Sequence, residues 1–322
     1  MKVEASAPAK VILVGEHFVV ENEPAIACAV ELRAHVTVED GYDDILLSSQ
    51  NFGSSIKLSI KGDILDGREN LKIFEPLLRI DRILRRMTDF KGGYKLEVNS
   101  SIPPASGMGS SAAVAVATVA AVSKIMGLEL DLEEISKIAY EAEKIVHGTP
   151  SGIDNTIATY GGIIVFRKSE GFIRLEADFS KVMLIVADSG LPRNTGKMVR
   201  KVKNLKNKYP RVFEPLYHTA GRLAIEAAQA IRDGRFHDLG ELMNVNHGLL
   251  SAIGVSNRKL EEMVYTAREA GALGAKITGA GGGGSIVVLT TKEDSLRVSK
   301  ALKKISRRVY VLNIAEKGVV VL

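Results

Sequence analysis

Residues 109–126 constrain this chain more than any other segment. Ala, Val and Ile cover nearly every face of the stretch, so a helix formed there has no side to offer to water. Such a helix belongs in the middle of a fold, and the rest of the chain must supply its cover. Leading into it is Ile102-Pro103-Pro104-Ala105-Ser106-Gly107-Met108-Gly109-Ser110-Ser111-Ala112-Ala113. The prolines stiffen the approach and the glycines let a ligand come close to bare backbone. The first helical turn then presents unpaired N–H groups and partial positive charge, which suits a phosphate, with serine hydroxyls available to Mg²⁺. An ordinary capped helix would account for Ser110, but not for Gly107 and Gly109 together.

The cover for this helix is legible as short β-branched runs at 10–14, 25–30, 34–39, 45–48, 56–60 and 94–98, which predict strands of a mainly antiparallel sheet. A helix is expected over about 69–87. A second, over 131–146, should open with a capping box at Asp131 and Glu134 and carry a core stripe of Ile135, Ile138, Ala139, Ala142, Ile145 and Val146. Glu143 falls at the edge of that stripe and can look into a cleft. Beyond about residue 180 the pattern turns mainly helical, with strands at 182–187, 275–278, 285–290 and 308–313. We therefore expect an α+β chain of two lobes, 1–180 and 181–322.

The charge balance is 43 Lys and Arg against 38 Asp and Glu, a net +5. This mild excess suits an anionic small substrate. The basic runs 197–208 and 303–308 lack interleaved aromatics and read as solvated faces, so nucleic acid is not expected as a partner. A single cysteine, Cys28, rules out internal disulfides and cysteine zinc sites, and reads as a buried thiol. No secretory h-region opens the chain, and the apolar run 112–122 is well short of the roughly 20 residues a membrane span needs. A cytoplasmic protein without a membrane partner is the expectation.

Three further segments carry chemistry. Pro8-Ala9-Lys10-Val11-Ile12-Leu13-Val14-Gly15-Glu16-His17 is a strand ending in a glycine turn. Taken alone, its Lys10 reads as a strand-end lysine reaching for water. Glu141 to Asn155 places Glu143 on a helix and Asp154 after a Gly/Pro loop. Two carboxylates near a phosphate loop are what metal-assisted phosphoryl transfer needs, one for Mg²⁺ and one beside the attacking hydroxyl. Lys276-Ile277-Thr278-Gly279-Ala280-Gly281-Gly282-Gly283-Gly284-Ser285 contains G-x-G-x-x-G, yet a strand follows it where a dinucleotide site needs a helix. It predicts a bulged hairpin packed beside the phosphate loop. Gly190 to Met198 has the wrong spacing for a Walker loop and lacks its Ser or Thr.

Together and in this order, PAKVILVGEH, PPASGMGSSAA and KITGAGGGGS resemble the GHMP kinase superfamily over essentially the whole chain. HGTPSGIDNTIATYGG and LPRNTGKMV look most like its mevalonate-phosphorylating branch. The resemblance implies a two-lobed GHMP kinase fold, with a ribosomal protein S5 domain 2-like N-terminal lobe and a ferredoxin-like C-terminal lobe with added helices. It implies transfer of phosphate from ATP to the terminal hydroxyl of mevalonate, with Mg²⁺, and a homodimer.

By matching positions, Asp154 would be the catalytic acid-base, with Lys10 beside it holding it ionised. Ser111 and Glu143 would hold Mg²⁺. ATP would lie over Pro104, Ala105, Ser106, Gly107, Met108, Gly109, Ser110, Ser111 and Ala112, flanked by Gly281, Gly282 and Gly283. Glu16, His17, Arg193 and Thr195 would face the substrate, Arg193 and His17 being candidates for its carboxylate. The alternatives are a kinase of the same fold acting on phosphomevalonate or on position 3 of mevalonate, and a nucleotide-binding regulator without turnover.

Overall fold

The computed structural model covers residues 1–322 and describes all of them except Pro104, Ala105, Gly148, Thr149, Arg193 and the side chain of His147. The first sheet is built from β1 (Lys2–Val14), β2 (Ala25–Tyr42), β3 (Asp44–Ser49), β4 (Ser54–Ser59), β5 (Ile64–Asp66), β6 (Gly93–Ser100), β7 (Ile163–Arg167) and β8 (Gly171–Leu175). Its helices are α1 (Leu71–Arg85), α2 (Ser110–Ile125), α3 (Leu132–His147) and α4 (Ile153–Tyr160). The second sheet holds β9 (Val182–Asp188), β10 (Gly274–Thr278), β11 (Ser285–Thr291) and β12 (Arg308–Leu312). Around it lie α5 (Thr195–Lys208), α6 (Pro210–Arg232), α7 (Phe236–Ala252), α8 (Arg258–Glu269) and α9 (Lys292–Lys303), and the chain ends in β13 (Val320–Val321).

The first sheet runs β13-β1-β2-β6-β3-β4-β5, with β7 and β8 branching from β2; the second runs β10-β11-β9-β12. Pairing is antiparallel apart from β3 with β6. As its composition requires, α2 lies between β1 and β2 on one side and α1, α3 and α4 on the other. Val116, Val119 and Val122 are fully buried, each contributing about 1.5–3 kcal/mol of burial. The price of that burial is paid at one end only, where the first turn of α2 must find partners outside the core.

Two expectations change. The runs 25–30 and 34–39 are one strand, β2, because the opposing register shifts between Pro8 and Ala9 and lets Glu31 and Leu32 bulge without breaking the ladder. Arg33 fixes the bend, its guanidinium donating to Ser6 Oγ at 3.0 Å and to the Ser6 carbonyl at 3.0 Å. The stripe of α3 ends at Ala142: Ile145 and Val146 are 40% and 47% exposed, while Glu143 takes the buried side of the last turn at 3%. We retain the division near residue 180 as a proposal for the lobe boundary. The tail after β12 returns to the first sheet, where Val320 and Val321 pair with Ser6 and Ala5.

Candidate active site

The end of β1, the head of α2 and the first turn of α4 meet at one point. Lys10 is only 5% exposed, so it does not reach for water; its Nζ lies 3.0 Å from Asp154 Oδ1. The Lys10 N–H donates to the Met108 carbonyl at 3.0 Å, tying the strand to the loop before α2. Gly109 caps that helix with φ +68°, and a Cβ placed on it would stand 2.9 Å from Lys10 Cγ and 3.5 Å from Asp154 Oδ2. Only glycine combines that backbone with that proximity. The head of the helix thus touches the ion pair.

Among the described residues no side chain caps α2. Its first N–H groups are therefore left without a side-chain partner close to Lys10, with the helix dipole adding positive field. The side chains of Met108 and Ala112 are fully buried, which leaves backbone as their means of touching a ligand. Ser106 is spent on the loop: its hydroxyl donates to the Pro103 carbonyl at 2.7 Å and accepts from the Met108 N–H at 3.3 Å. Gly107 takes φ +87° between them. Ser110 is half-buried and Ser111 exposed. Pro104 and Ala105 lie outside the described residues.

Asp154 sits in the first turn of α4, where the dipole favours a carboxylate. Glu143 feels the same cluster. Burial, and then the neighbouring Asp154 charge, push its carboxyl up from 4.5 to about 8, with Lys10 opposing. A further cation beside it would favour the charged form of Glu143. Cys28 is buried on the neighbouring strand, its thiol raised by desolvation, which fits an inert core residue.

Glu16 does not face an open cleft. It is 1% exposed, ion-paired with the fully buried Lys276, and accepts from Asn246 Nδ2 at 3.2 Å. His17 holds φ +61° without being glycine, a strained backbone of the kind found at functional sites. Because the Ala280 carbonyl 2.9 Å away can only accept, His17 Nε2 carries the proton. Burial lowers the His17 pKa, with the hydrogen bond to the Ala280 carbonyl opposing it.

Gly281, Gly282 and Gly283 close mainly on their own lobe: Cβ atoms there would meet the Val255 carbonyl at 2.3 Å, Met198 Sδ at 2.7 Å and the Pro192 carbonyl at 2.6 Å. The hairpin reaches the phosphate loop through Ser285, whose hydroxyl donates to the Ser106 carbonyl at 3.1 Å. Thr195 opens α5 in solvent, and Arg193 lies outside the described residues. Sequence reasoning missed Lys276, Asn246 and Ser285. The available signal was a lysine inside the apolar strand run Ala275 to Thr278, the same oddity that marks Lys10.

A helix head against a buried lysine and an aspartate, with the second lobe bonded through Ser285 to the loop before that helix, is an arrangement suited to a small-molecule kinase. Residues 77–162 match the GHMP kinases N terminal domain and residues 227–307 the GHMP kinases C terminal. The chain belongs to the GHMP kinases and is an ATP-dependent enzyme. It is 38% identical to the mevalonate kinase of Thermococcus onnurineus, across 99% of this chain and 98% of that one. Mevalonate kinase of Pyrococcus furiosus is also 38% identical, with the same shares covered. Among solved structures, Methanococcus jannaschii mevalonate kinase superposes with a TM-score of 0.83 at 30% identity, covering 98% of both chains. L. major mevalonate kinase, solved with R-mevalonate, gives 0.81 at 30% identity over 96% of this chain and 94% of that one.

Proposed function

We propose that this enzyme moves the γ-phosphoryl group of ATP to the terminal hydroxyl of mevalonate, giving mevalonate 5-phosphate and ADP. The substrate oxygen forms a bond to the γ-phosphorus while the bond to the β,γ-bridging oxygen breaks, and the hydroxyl proton passes to Asp154. Lys10 holds the Asp154 carboxylate in place and offsets negative charge on the group in flight. The backbone from Ser106 to Ala112 cradles the phosphates, with Pro104 and Ala105 before it and Gly281 to Gly283 on the opposite side. The observation that carries this reading is the 3.0 Å Lys10–Asp154 pair lying directly under Gly109 at the head of α2.

Glu143 and Ser111 are the proposed ligands of Mg²⁺. The donor set fits a hard cation, since both offer oxygen and, among the described residues, Lys10 is the cation that acts on the buried Glu143 carboxyl. Among the described residues no three His, Cys, Asp or Glu side chains converge, which suits an ion held largely by phosphate oxygens and water. When bound, Mg²⁺ would supply charge neutralisation at the phosphates.

The names of the relatives support mevalonate as the acceptor, with His17, Thr195 and Arg193 proposed to meet it. Arg193 and His17 are the proposed partners of its carboxylate. Among the described residues no helix is long and apolar enough to cross a membrane; a cytoplasmic setting and a homodimer remain part of this proposal. The test is ³¹P NMR of the product formed from mevalonate and ATP. A 5-phosphate monoester with stoichiometric ADP is expected; a 3-phosphate, or phosphorylation only of phosphomevalonate, would contradict it.

A further inference from the structure

Strand β1 carries Lys10, but β13 covers its outer edge only at Ala5 and Ser6. Further along, the backbone groups of that edge need other partners: the Lys10 N–H takes the Met108 carbonyl of its own lobe, and from Ile12 onwards the opposite lobe supplies them. The Ile12 N–H donates to Thr278 Oγ1 at 3.3 Å, and the Ile12 carbonyl accepts from Lys276 Nζ at 3.2 Å and from the Thr278 hydroxyl at 3.4 Å. The pairing with β2 then slips between Ile12 and Val14, so the strand end is not held by regular ladder bonds. Here the Gly15 N–H donates to Asn246 Oδ1 at 3.3 Å, while Asn246 Nδ2 and Lys276 both donate to the Glu16 carboxylate. These anchors come from β10 and α7, which are themselves joined by the Ala275 N–H to Asn244 Oδ1 at 3.0 Å and the Ile277 N–H to His247 Nδ1 at 3.4 Å.

Lys276 and Asn246 are fully sealed and Glu16 is 1% exposed, so none of the three can touch a reactant. An ion pair buried this completely is not needed for stability, because well-packed apolar residues serve as well. What apolar residues cannot do is aim several donors at one carbonyl and one carboxylate, and that fixes a strand in register. We propose that Lys276, with Glu16, Asn246 and Thr278, is a positioning set through which the C-terminal lobe holds the end of β1, and with it the Lys10 ammonium and the His17 turn, in reacting geometry. This rests on the phosphoryl-transfer reading of the Lys10–Asp154 pair. It also assigns Glu16 to positioning rather than to substrate contact.

The test replaces the pair by the neutral double variant Glu16→Gln/Lys276→Met, which leaves no uncompensated buried charge. Steady-state turnover of mevalonate and ATP is measured beside amide hydrogen exchange of Ile12 to His17. With cooperative melting retained, we expect kcat to fall about a hundredfold, as for an ångström-scale misplacement, with both KM values within about threefold, and these amides to exchange faster. A kcat within about threefold of the parent, or a loss of kcat with unchanged exchange, would overturn the positioning role. Should the double variant not fold, Thr278→Val removes one hydroxyl, with about a tenfold fall in kcat expected and the same two contrary results. A parent chain that leaves mevalonate unphosphorylated counts against the activity alone; the exchange comparison still decides whether the set holds the strand.

Discussion

Two buried lysines meet two carboxylates at opposite ends of the same few residues. Lys10 pairs with Asp154, whose side chain keeps 28% of its surface open, whereas Lys276 pairs with Glu16 where 0% and 1% remain. The first pair leaves one partner partly open beside the head of α2; the second is sealed and bonded to backbone. That exposure on the carboxylate side, rather than the charges themselves, is the basis for proposing proton exchange with a reactant for the first pair and positioning for the second.

The comparison breaks most sharply with single lysine removals. Lys10→Met should cut kcat about a thousandfold, within the range for losing a positioned catalytic charge, with little change in melting temperature. Lys276→Met should instead destabilise by about 3–5 kcal/mol, because Glu16 is left charged and sealed. Equal melting losses for the two variants would erase the distinction. Gly109→Ala comes next: the added Cβ meets Lys10 Cγ at 2.9 Å and demands φ +68° from alanine. Steady-state kinetics should show kcat down about a hundredfold, through displacement of the first pair.

Proton linkage sharpens the same contrast. Glu143 rises from 4.5 to about 8 on folding, so between those values the folded chain binds more protons than the unfolded one. Stability attributable to this group is therefore greatest at low pH and declines as pH rises through that window. Glu143→Gln should flatten the decline in urea melts of the metal-free protein while abolishing Mg²⁺-supported turnover. A decline of unchanged slope would refute the linkage. The smallest effect belongs to a third pair on the surface, Lys124 with Glu129 at 2.7 Å, where Glu129 is 87% exposed. Lys124→Ala should shift stability by no more than about 1 kcal/mol and leave kcat alone, as a urea titration beside an assay would show.

What the sequence revealed follows the same division between local and distant. The capping box of α3 was readable because its partners are adjacent: the Asp131 N–H reaches Glu134 Oε2 at 2.9 Å and the Glu134 N–H reaches Asp131 Oδ1 at 2.8 Å. The burial of α2 was readable from composition alone. The first lysine pair became visible only when the motifs were taken together, since Lys10 by itself suggested a side chain bound for water. Glu16 with Lys276 was not readable, because the partners are 260 positions apart and join across two sheets. Likewise Ile145 and Val146 continue a core stripe on the wheel, yet the buried face of that turn goes to Glu143 because it adjoins Lys10 and Asp154. The return of Val320 and Val321 to β1 gave too short a run to read.

The most direct check is the single-turnover rate of phosphoryl transfer by Asp154→Asn, with the ATP dissociation constant measured on the same preparation. We expect nucleotide affinity to stay within about threefold and the transfer rate to fall about a thousandfold, the upper part of the range for losing a general base. A folded variant that transfers phosphate within about threefold of the parent rate would contradict the role given to the Lys10–Asp154 pair.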